Sequence, residues 1–390
     1  MSALAIRRLQ LTYFRNYESL ALTLPAVNDA FAVVLTGDNG AGKTNLLEAV
    51  SMLVPGRGLR GAKIVDMPHL NRPADHDWGV ASQAEGRVGP IRLGTGQDAG
   101  TAADPKASRR HVRVDGETAS AQTALAEHLH MAWLTPAMDG LFRDGASDRR
   151  RFMDRLVFAF DPSHAGRVTR YEKLLRERAK LLKDASETGQ APDPHWLDSI
   201  AAGLTEPAVA IAAGRLALVE RLHRVAATDL EPFPAADLAL DGQPEGWLAE
   251  GAPSGVVEDR LRAALAAGRS QDAQAGGASI GPHRTDLIAP HRGKQMPAHL
   301  CSTGEQKALL IAITLAHGRL ATAETGQAPI LLLDEVAAHL DEARRHALFE
   351  RLAAHQAQVW MTGTDTNIFN GLGDAATRIT ITGGRAQKDA

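Results

Sequence analysis

A glycine-rich octapeptide carries the residues of this chain that are best suited to phosphate binding. It reads Gly37-Asp38-Asn39-Gly40-Ala41-Gly42-Lys43-Thr44, which satisfies the pattern G-x-x-x-x-G-K-[ST], and Asn45 follows it. Glycines allow backbone N–H groups to approach phosphate oxygens, and a following helix adds its N-terminal dipole. We expect Lys43 to neutralise the terminal phosphates of ATP and Thr44 to ligate Mg²⁺. A chance glycine-rich turn is the alternative, and the strand and helix patterns on either side disfavour it.

Two carboxylates at the end of an apolar run form a second candidate element. Residues Ile330 to Leu333 are all aliphatic, and Asp334 and Glu335 follow directly. In such a pair the first acid supports Mg²⁺ and the second polarises the attacking water. A buried strand with a charged turn would look the same in isolation. Together with the glycine-rich loop, this pair predicts a Walker B motif in which Asp334 supports the metal. We expect Glu335 from this motif and Lys43 from the loop to be the catalytic residues.

A Ser-Thr-Gly-Glu-Gln segment stands between these two motifs in the chain. Ser302 or Thr303 would cap a helix that opens with Glu305, but capping does not explain Gly304. In this order along the chain, the segment resembles the signature motif of ABC-type ATPases. In that family the signature Ser and Gly contact the γ-phosphate bound to the other subunit. The resemblance therefore implies ATP contacts for Ser302, Gly304 and Glu305, and places Asp341 in the D-loop at a dimer interface.

The hydrophobic patterns around the motifs indicate which elements position them. The run Phe31 to Leu35 predicts a buried strand before the glycine-rich loop, and Leu46 to Leu53 predicts a helix after it. From Ala119 to about Val225 the pattern is mainly helical. We predict an α/β fold, an ABC-type P-loop ATPase head with an inserted, mainly helical second lobe and no long coiled coil. The expected limits are 1–118 and 279–390 for the two parts of the ATP-binding domain and 119–278 for the lobe.

Composition restricts the remaining possibilities. The chain has 390 residues, a net charge of −3 and one cysteine, Cys301. A single cysteine cannot form an intramolecular disulfide or a Cys-based zinc site, and it favours a reducing compartment. We see no apolar run near the length of a bilayer span, so the sequence predicts a cytoplasmic protein without a membrane segment. The near-neutral charge means that any nucleic-acid contact must come from a local basic patch.

Further segments extend the resemblance over nearly the whole chain. Together they closely resemble the RecF family, bacterial recombinational-repair ATPases related to SMC heads: Phe14-Arg15-Asn16-Tyr17, Asn39 to Glu48, Gly281-Pro282-His283-Arg284 with Asp286, and Ser302 to Lys307. The resemblance implies a weak, DNA-stimulated ATPase that dimerises with ATP. It also implies sequence-nonspecific binding to gapped DNA or single-strand/duplex junctions, and assistance to RecA loading with RecO and RecR. The sequence departs from the family at Ala137-Met138-Asp139 and Ala338-His339, and no Q-loop glutamine is assigned.

Alternatives remain for the function and for the DNA contacts. An ABC-type ATPase subunit acting on a membrane or protein partner is disfavoured by the long helical insertion and by Thr362-Gly363-Thr364, which lacks a switch histidine. Residues 140–183 carry 12 Lys/Arg against 6 Asp/Glu. Arg149-Arg150-Arg151 would contact DNA phosphates or form a solvated helix face, and both interpretations stay open. We expect the aromatics around Arg15 to pack a turn and Pro282-His283 to be a structural turn.

Overall fold

The structure is a computed structural model that describes residues 3–97, 110–188, 192–226 and 231–389. Its strands are β1 (Ala5–Phe14), β2 (Tyr17–Thr23), β3 (Ala32–Thr36), β4 (Gly79–Gly86), β5 (Gly89–Gln97), β6 (Arg110–Val114), β7 (Glu117–Thr118), β8 (Met131–Leu134), β9 (Ala239–Asp241), β10 (Asp286–Ile288), β11 (Ile330–Leu333), β12 (Val359–Gly363), β13 (Ala376–Thr382) and β14 (Arg385–Lys388). Its α-helices are α1 (Lys43–Ser51), α2 (Ala146–Val157), α3 (His164–Thr188), α4 (Pro194–Ala226), α5 (Gln243–Ala249), α6 (Ser254–Ala267), α7 (Arg269–Ala275), α8 (Thr303–Thr325) and α9 (Glu342–Ala353).

The chain divides into two compact units. Unit 1 comprises Met1–Asp139, Leu230–Pro234 and Ser302–Ala390, and unit 2 comprises Gly140–Asp229 and Ala235–Cys301. These limits differ from the predicted 119–278 for the lobe. Residues 119–139 belong to unit 1 because β8 pairs in parallel with β11 of the same sheet. Residues 279–301 belong to unit 2 because β10 pairs with β9.

The central sheet of unit 1 carries the predicted buried strands. Its order is β14-β13-β3-β12-β11-β8, and all neighbours are parallel except β14 beside β13. Every residue of β3, β11, β12 and β8 is buried. Continuous apolar strands are what a parallel sheet covered on both faces requires. The carboxyl ends of β3, β11 and β12 therefore lie side by side at one edge of the sheet.

A second sheet in unit 1 is antiparallel, with the order β2-β1-β4-β5-β6-β7. Leucines alternate with polar residues along β1 and β2, as the sequence pattern predicts, so one face of this sheet is apolar. That face shares a core with α1 and with the central sheet, including Leu9, Leu46, Leu47, Trp360 and Ile379. Burial of these side chains fixes the N-terminal strands beside the glycine-rich loop.

Unit 2 is mainly helical, as predicted for the lobe. Helix α4 packs against α3, α5 and α6, with Leu204, Ile211, Val257 and Leu261 in the core. Within the described residues, Pro194–Val225 is also long and apolar enough by composition to cross a membrane. The stretch is not a continuous apolar run, because charged residues such as Glu206 and Arg215 interrupt it, and its alanines raise the mean hydropathy. In the structure 56% of its most apolar window is buried, as in the core helix of a soluble protein.

Charged side chains are also buried in unit 2, and they are paired. Arg215 donates two hydrogen bonds to the carboxylate of Asp154, at 2.7 Å and 2.8 Å, and His164 Nε2 lies 2.9 Å from the same carboxylate. Burial alone would raise the pKa of Asp154, but the Arg215 charge and the hydrogen bonds from His164 and Arg215 outweigh burial and hold that pKa well below its usual range. The carboxylate is therefore ionised at neutral pH and compensates the buried guanidinium.

Removing this carboxylate should destabilise unit 2 strongly. We expect Asp154→Ala to lower the free energy of unfolding by about 3 to 5 kcal/mol, because Arg215 would lose the carboxylate that accepts its two hydrogen bonds and would keep only Glu245 at 3.9 Å. Urea unfolding followed by far-UV circular dichroism measures the change. The matched control is Asp259→Ala, which removes the exposed partner of Arg262 and should cost less than about 1 kcal/mol. Equal midpoints for the two variants would contradict a stabilising role for the buried pair.

Candidate nucleotide-binding site

The glycine-rich loop joins the end of β3 to the start of α1, as the sequence predicts. Gly42 is the N-cap of α1 and adopts a left-handed conformation with a φ of 119°. A Cβ atom at Gly42 would collide with the side chain of Asn16, and a Cβ at Gly37 would collide with the carbonyl oxygen of Ile381. Both positions thus need glycine for the close approach of neighbouring chain segments. The first backbone N–H groups of a helix have no partner within the helix, so the start of α1 offers donors to a phosphate.

The turn between β1 and β2 holds the loop from one side. Tyr17 donates its hydroxyl hydrogen bond to the carbonyl oxygen of Gly42 at 3.0 Å, and Asn16 Nδ2 donates to the carbonyl oxygen of Ala41 at 3.0 Å. Asn45 Nδ2 in turn donates to Asn16 Oδ1 at 2.8 Å. Burial raises the pKa of the Tyr17 hydroxyl, which keeps it protonated as a donor. The predicted packing of this turn is confirmed. Its hydrogen bonds to the glycine-rich loop were not predicted from the sequence.

Arg15, in the same turn, also connects it to α1. Its Nε and Nη2 atoms each donate to the carboxylate of Glu48 at 2.8 Å, and the Glu48 side chain is fully buried. Arg60 donates to Asn45 Oδ1 at 2.6 Å and lies 3.4 Å from the same Glu48 carboxylate. Bidentate guanidinium–carboxylate pairs are geometrically specific. Both arginines therefore help to fix α1.

Asp334 joins the glycine-rich loop to the end of β11. Thr44 Oγ1 donates a hydrogen bond to Asp334 Oδ1 at 3.0 Å, and Thr362 Oγ1 donates to the same oxygen at 2.8 Å. Burial raises the pKa of Asp334, the hydrogen bonds from Thr362 and Thr44 lower it, and the charge of Glu335 raises it. The net shift is upward. The predicted metal residues Thr44 and Asp334 are thus in direct contact.

Glu335 sits in the sharp turn that follows this strand. Its φ is 54°, a left-handed conformation that costs a non-glycine residue about 1 to 3 kcal/mol. Its backbone N–H donates to Thr362 Oγ1 at 2.9 Å, which holds the turn. Thr362 therefore contacts both predicted acidic residues. In the sequence this threonine stands out only as the residue at the position of a switch histidine, and its place at the end of a buried strand was the available signal for its role.

Lys43 lies inside the glycine-rich loop. Its Nζ atom donates to the carbonyl oxygens of Gly37 at 2.6 Å and Asp38 at 2.9 Å, and the residue is only 5% exposed. The ammonium is thereby held against the backbone of the loop that the motif assigns to phosphate binding.

The Ser302 segment forms the N-terminus of α8. Ser302 accepts a hydrogen bond from the backbone N–H of Glu305, and the Glu305 carboxylate accepts one from the backbone N–H of Ser302 at 3.0 Å. This capping box is the ordinary explanation that the sequence left open, and it accounts for both residues. It does not account for Gly304, where a Cβ atom would meet nothing within 4 Å.

Two neighbouring elements are also placed by the structure. Asp341 is the N-cap of α9 and accepts a hydrogen bond from the backbone N–H of Arg344 at 2.8 Å. Lys307 of α8 lies 3.4 Å from Asp139, in the segment that departs from the RecF pattern. Asp139 is therefore an ion-pair partner of the helix that carries the Ser-Thr-Gly-Glu-Gln segment.

The basic run of α2 does not form one exposed patch. Arg149 makes two hydrogen bonds to Asp286, at 2.6 Å and 2.8 Å, and Arg150 donates to the carbonyl oxygen of Thr285 at 2.8 Å. Arg151 remains exposed beside Asp148. The run is thus divided between structural pairing and a solvent-facing side chain.

The Pro282-His283 segment is a structural turn, as predicted. His283 Nε2 lies 2.9 Å from the carbonyl oxygen of Ala278, so this nitrogen is the donor and Nδ1 accepts from the Tyr171 hydroxyl at 2.7 Å. Burial lowers the pKa of His283 to about 4, so the ring is neutral at pH 7. Arg284 also donates to the carbonyl oxygen of Ala278, at 2.9 Å.

The parallel central sheet, the loop before α1 and the acidic pair after β11 define an ABC-type P-loop ATPase. Residues 5–387 match the family described as the RecF/RecN/SMC N terminal domain. The chain is 47% identical over 378 residues to the DNA replication and repair protein RecF of Mesorhizobium japonicum, covering 96% of each chain. It is 46% identical over 383 residues to that of Rhizobium etli, covering 98% of each. The chain belongs to the RecF family.

Solved structures agree with this fold. The recombination mediator protein RecF in the RecFOR pathway superimposes with a TM-score of 0.83 at 21% identity, over 100% of this chain and 99% of that one. An Smc head domain from Pyrococcus furiosus superimposes with a TM-score of 0.53 at 16% identity, over 99% and 96% of the chains. The predicted fold class, an ABC-type head with a helical insertion, is confirmed.

The hydrogen bond from Tyr17 to the glycine-rich loop can be tested directly. We expect Tyr17→Phe to weaken ATP binding about fivefold, because the loop loses one hydrogen bond of about 1 kcal/mol that holds Gly42 in place. Titration with a fluorescent ATP analogue measures the Kd. The control is Tyr13→Phe in the same turn, where the ring packs edge-on against His76 rather than on the loop. An unchanged Kd for Tyr17→Phe would show that the hydroxyl does not organise the phosphate site.

Proposed function

We propose that this protein is an ATP-hydrolysing DNA clamp of the RecF type, in which two copies close on two ATP molecules and on DNA. The observation that carries the proposal is the 3.0 Å hydrogen bond between Thr44 and Asp334, which brings the phosphate loop and the acidic strand end together within unit 1. Residues Gly37 to Asn45 surround the phosphates, and Lys43 contributes the positive charge that ATP requires.

The donor set at Thr44 and Asp334 fits Mg²⁺. A hydroxyl and a carboxylate are hard oxygen ligands, and Mg²⁺ in ATPases is usually held by one or two such groups together with substrate phosphates. When bound, Mg²⁺ neutralises charge on the phosphates.

Glu335 acts as the general base in this proposal. It accepts a proton from the attacking water, while Thr362 holds its backbone and the neighbouring Asp334 in fixed positions. Lys43 orients the terminal phosphates and stabilises the charge that develops on them. The chain's own groups therefore supply the base, the positive charge and the geometry.

The N-terminus of α8 supplies the contact to a second copy. Ser302 is exposed, and Gly304 leaves open space, so another chain's nucleotide can approach this backbone closely. We assign Ser302, Gly304 and Glu305 to the ATP bound by the opposite copy, and Asp341 to the dimer interface. ATP binding thus closes an ATP-dependent homodimer, and hydrolysis opens it.

The relatives indicate the substrate and the pathway. Their names describe DNA replication and repair, and the similar solved structure is placed in the RecFOR pathway. We extend this to gapped or single-strand/duplex junction DNA bound without sequence specificity, to RecO and RecR as partners in loading RecA, and to a cytoplasmic location. An ABC-type subunit acting on a membrane or protein partner is not favoured by 47% identity to RecF over nearly the full chain.

Paired variants test the proposal. We expect Glu335→Gln to bind ATP normally, to hydrolyse it at least about 100-fold more slowly, and to stay on gapped duplex DNA for longer in ATP than the unchanged protein, because the general base is lost but the phosphate site is intact. Lys43→Ala is the matched control and should fail to bind ATP, so that ATP no longer alters its DNA affinity. Phosphate release and fluorescence anisotropy of labelled DNA give both measurements.

Two results would count against this account. Unchanged hydrolysis in Glu335→Gln would reject the general-base assignment. ATP hydrolysis by the unchanged protein without DNA affinity in ATP, ADP or no nucleotide would reject the DNA function and favour a protein or membrane partner.

A further inference from the structure

Four arginines line one cavity inside unit 2. The cavity has a volume of about 250 Å³ and lies among α2, α3, α4 and the Pro282-His283 turn. Helix α2 provides Arg150 and Arg151, α3 provides Arg176, and α4 provides Arg215. Such a concentration of guanidinium groups in one concave site is typical of anion recognition.

The buried part of the cavity lining is held in place by hydrogen bonds. Arg215 is held by the Asp154 carboxylate and by the carbonyl oxygen of Pro282, at 2.5 Å. The buried Tyr171 is fixed by its hydrogen bond to His283. A ligand that enters therefore meets groups that are already ordered, and little conformational entropy is lost on binding.

Exposed arginines line the outer part of the cavity, and an incoming anion can replace their present ion-pair partners. The side chains of Arg151 and Arg176 are each 71% exposed, and their carboxylate partners are Asp148 and Glu172 on the same helices. Exposed ion pairs of this kind contribute at most about 1 kcal/mol, so both guanidinium groups can turn to an incoming anion at low cost.

The charge inside the cavity favours a negative ligand. The lining holds four arginines and two carboxylates, Asp154 and Glu172, and His283 is neutral at pH 7. Arg215 is neutralised by the buried Asp154, whereas the partners of Arg151 and Arg176 are exposed and exchangeable. Burial and the positive charge of Arg215 lower the pKa of Arg150, although Asp286 and Asp154 oppose this shift. An anion placed beside Arg150 would therefore relieve an unfavourable environment.

The size and lining restrict the kind of anion. A volume of about 250 Å³ is below the roughly 300 to 1,000 Å³ of sites for whole drug-sized ligands. The lining also includes Val168 and Ile211, which offer apolar contact to a group attached to the anion. A phosphate with one attached sugar meets these conditions. The surrounding segment 140–183, with 12 Lys/Arg against 6 Asp/Glu, suits a polyanion rather than a single acidic side chain.

We propose that this cavity of unit 2 binds one backbone phosphate and its deoxyribose from the DNA strand. The inference rests on the proposed function, and it deepens it by naming a discrete phosphate site outside the ATP-binding unit. Arg151 and Arg176 contact the phosphate, Arg150 adds positive charge beside it, and Arg215, paired with Asp154, fixes the buried part of the lining. Because no base edge is read, the site contributes affinity without sequence preference.

The double variant Arg151→Ala/Arg176→Ala tests the site in the full-length protein with ATP. Both residues are exposed, so the fold should be retained. We expect the affinity for gapped duplex DNA to fall at least about tenfold, and the slope of log affinity against log salt to fall by about 1, since one phosphate is no longer neutralised. The matched control is Arg170→Ala/Arg262→Ala, two exposed arginines of unit 2 that do not line the cavity and also have carboxylate partners.

Crosslinking locates the strand independently. Ser147 is exposed at the cavity, whereas the native cysteine, Cys301, is buried. A photo-crosslinker attached to Ser147→Cys should capture DNA, whereas one attached to Ser254→Cys on α6 should not.

The outcomes separate this inference from the proposed function. DNA binding by both double variants at the level of the unchanged protein would overturn the cavity site and leave the proposed function standing. An equal loss in both would also overturn it, because it would show diffuse charge attraction rather than a built site. Polyglutamate serves as a second probe in the same titrations. If Arg151→Ala/Arg176→Ala lost polyglutamate binding but bound DNA like the unchanged protein, the result would point to an acidic protein partner and would overturn the DNA site. Failure of the unchanged protein to bind DNA would contradict the proposed function itself.

Discussion

A single carboxylate oxygen, Oδ1 of Asp334, ties together the parts of this ATPase head. It accepts hydrogen bonds from Thr44 in the helix after β3 and from Thr362 at the end of β12. These contacts are possible because β3, β12 and β11 are parallel neighbours whose carboxyl ends meet at one edge of the sheet. Unbroken apolar strands bury the sheet, and burial makes each polar group at its edge depend on a partner. The chemistry of the site therefore follows from strand order.

A second constraint acts on the opposite side of the phosphate loop. The turn between β1 and β2 binds two loop carbonyl oxygens through Asn16 and Tyr17, and Arg15 fixes α1 through Glu48. The loop is thus restrained by the antiparallel sheet as well as by the central sheet. Restraint on both sides prepares the backbone N–H groups for phosphate before ATP arrives, which reduces the entropy lost on binding.

The sequence predicted the elements better than their contacts. Strands β3, β11 and β12 and helix α1 were recognisable because their apolar runs and periodicity reflect burial directly. The pairing of Thr44 with Asp334 followed from motif order, whereas the roles of Tyr17 and Thr362 depend on tertiary contacts that no local pattern encodes. The lobe limits differed from expectation because they follow from the pairing of β8 with β11 and of β10 with β9, which no local pattern encodes. The assignments of residues to ATP, Mg²⁺ and hydrolysis remain predictions.

The hydroxyl of Thr362 offers the most direct test of the claim that one hydrogen-bonded relay organises both acidic residues. Single-turnover hydrolysis should be measured for Thr362→Val, which keeps the side-chain shape, and for Thr362→Ser, which keeps the hydroxyl. We predict at least about a tenfold loss for Thr362→Val, since Asp334 loses a donor and the Glu335 turn loses its acceptor, with a change of less than about threefold in the Kd for ATP. Thr362→Ser should hydrolyse ATP nearly as fast as the unchanged protein. Equal rates for Thr362→Val and the unchanged protein would contradict the account.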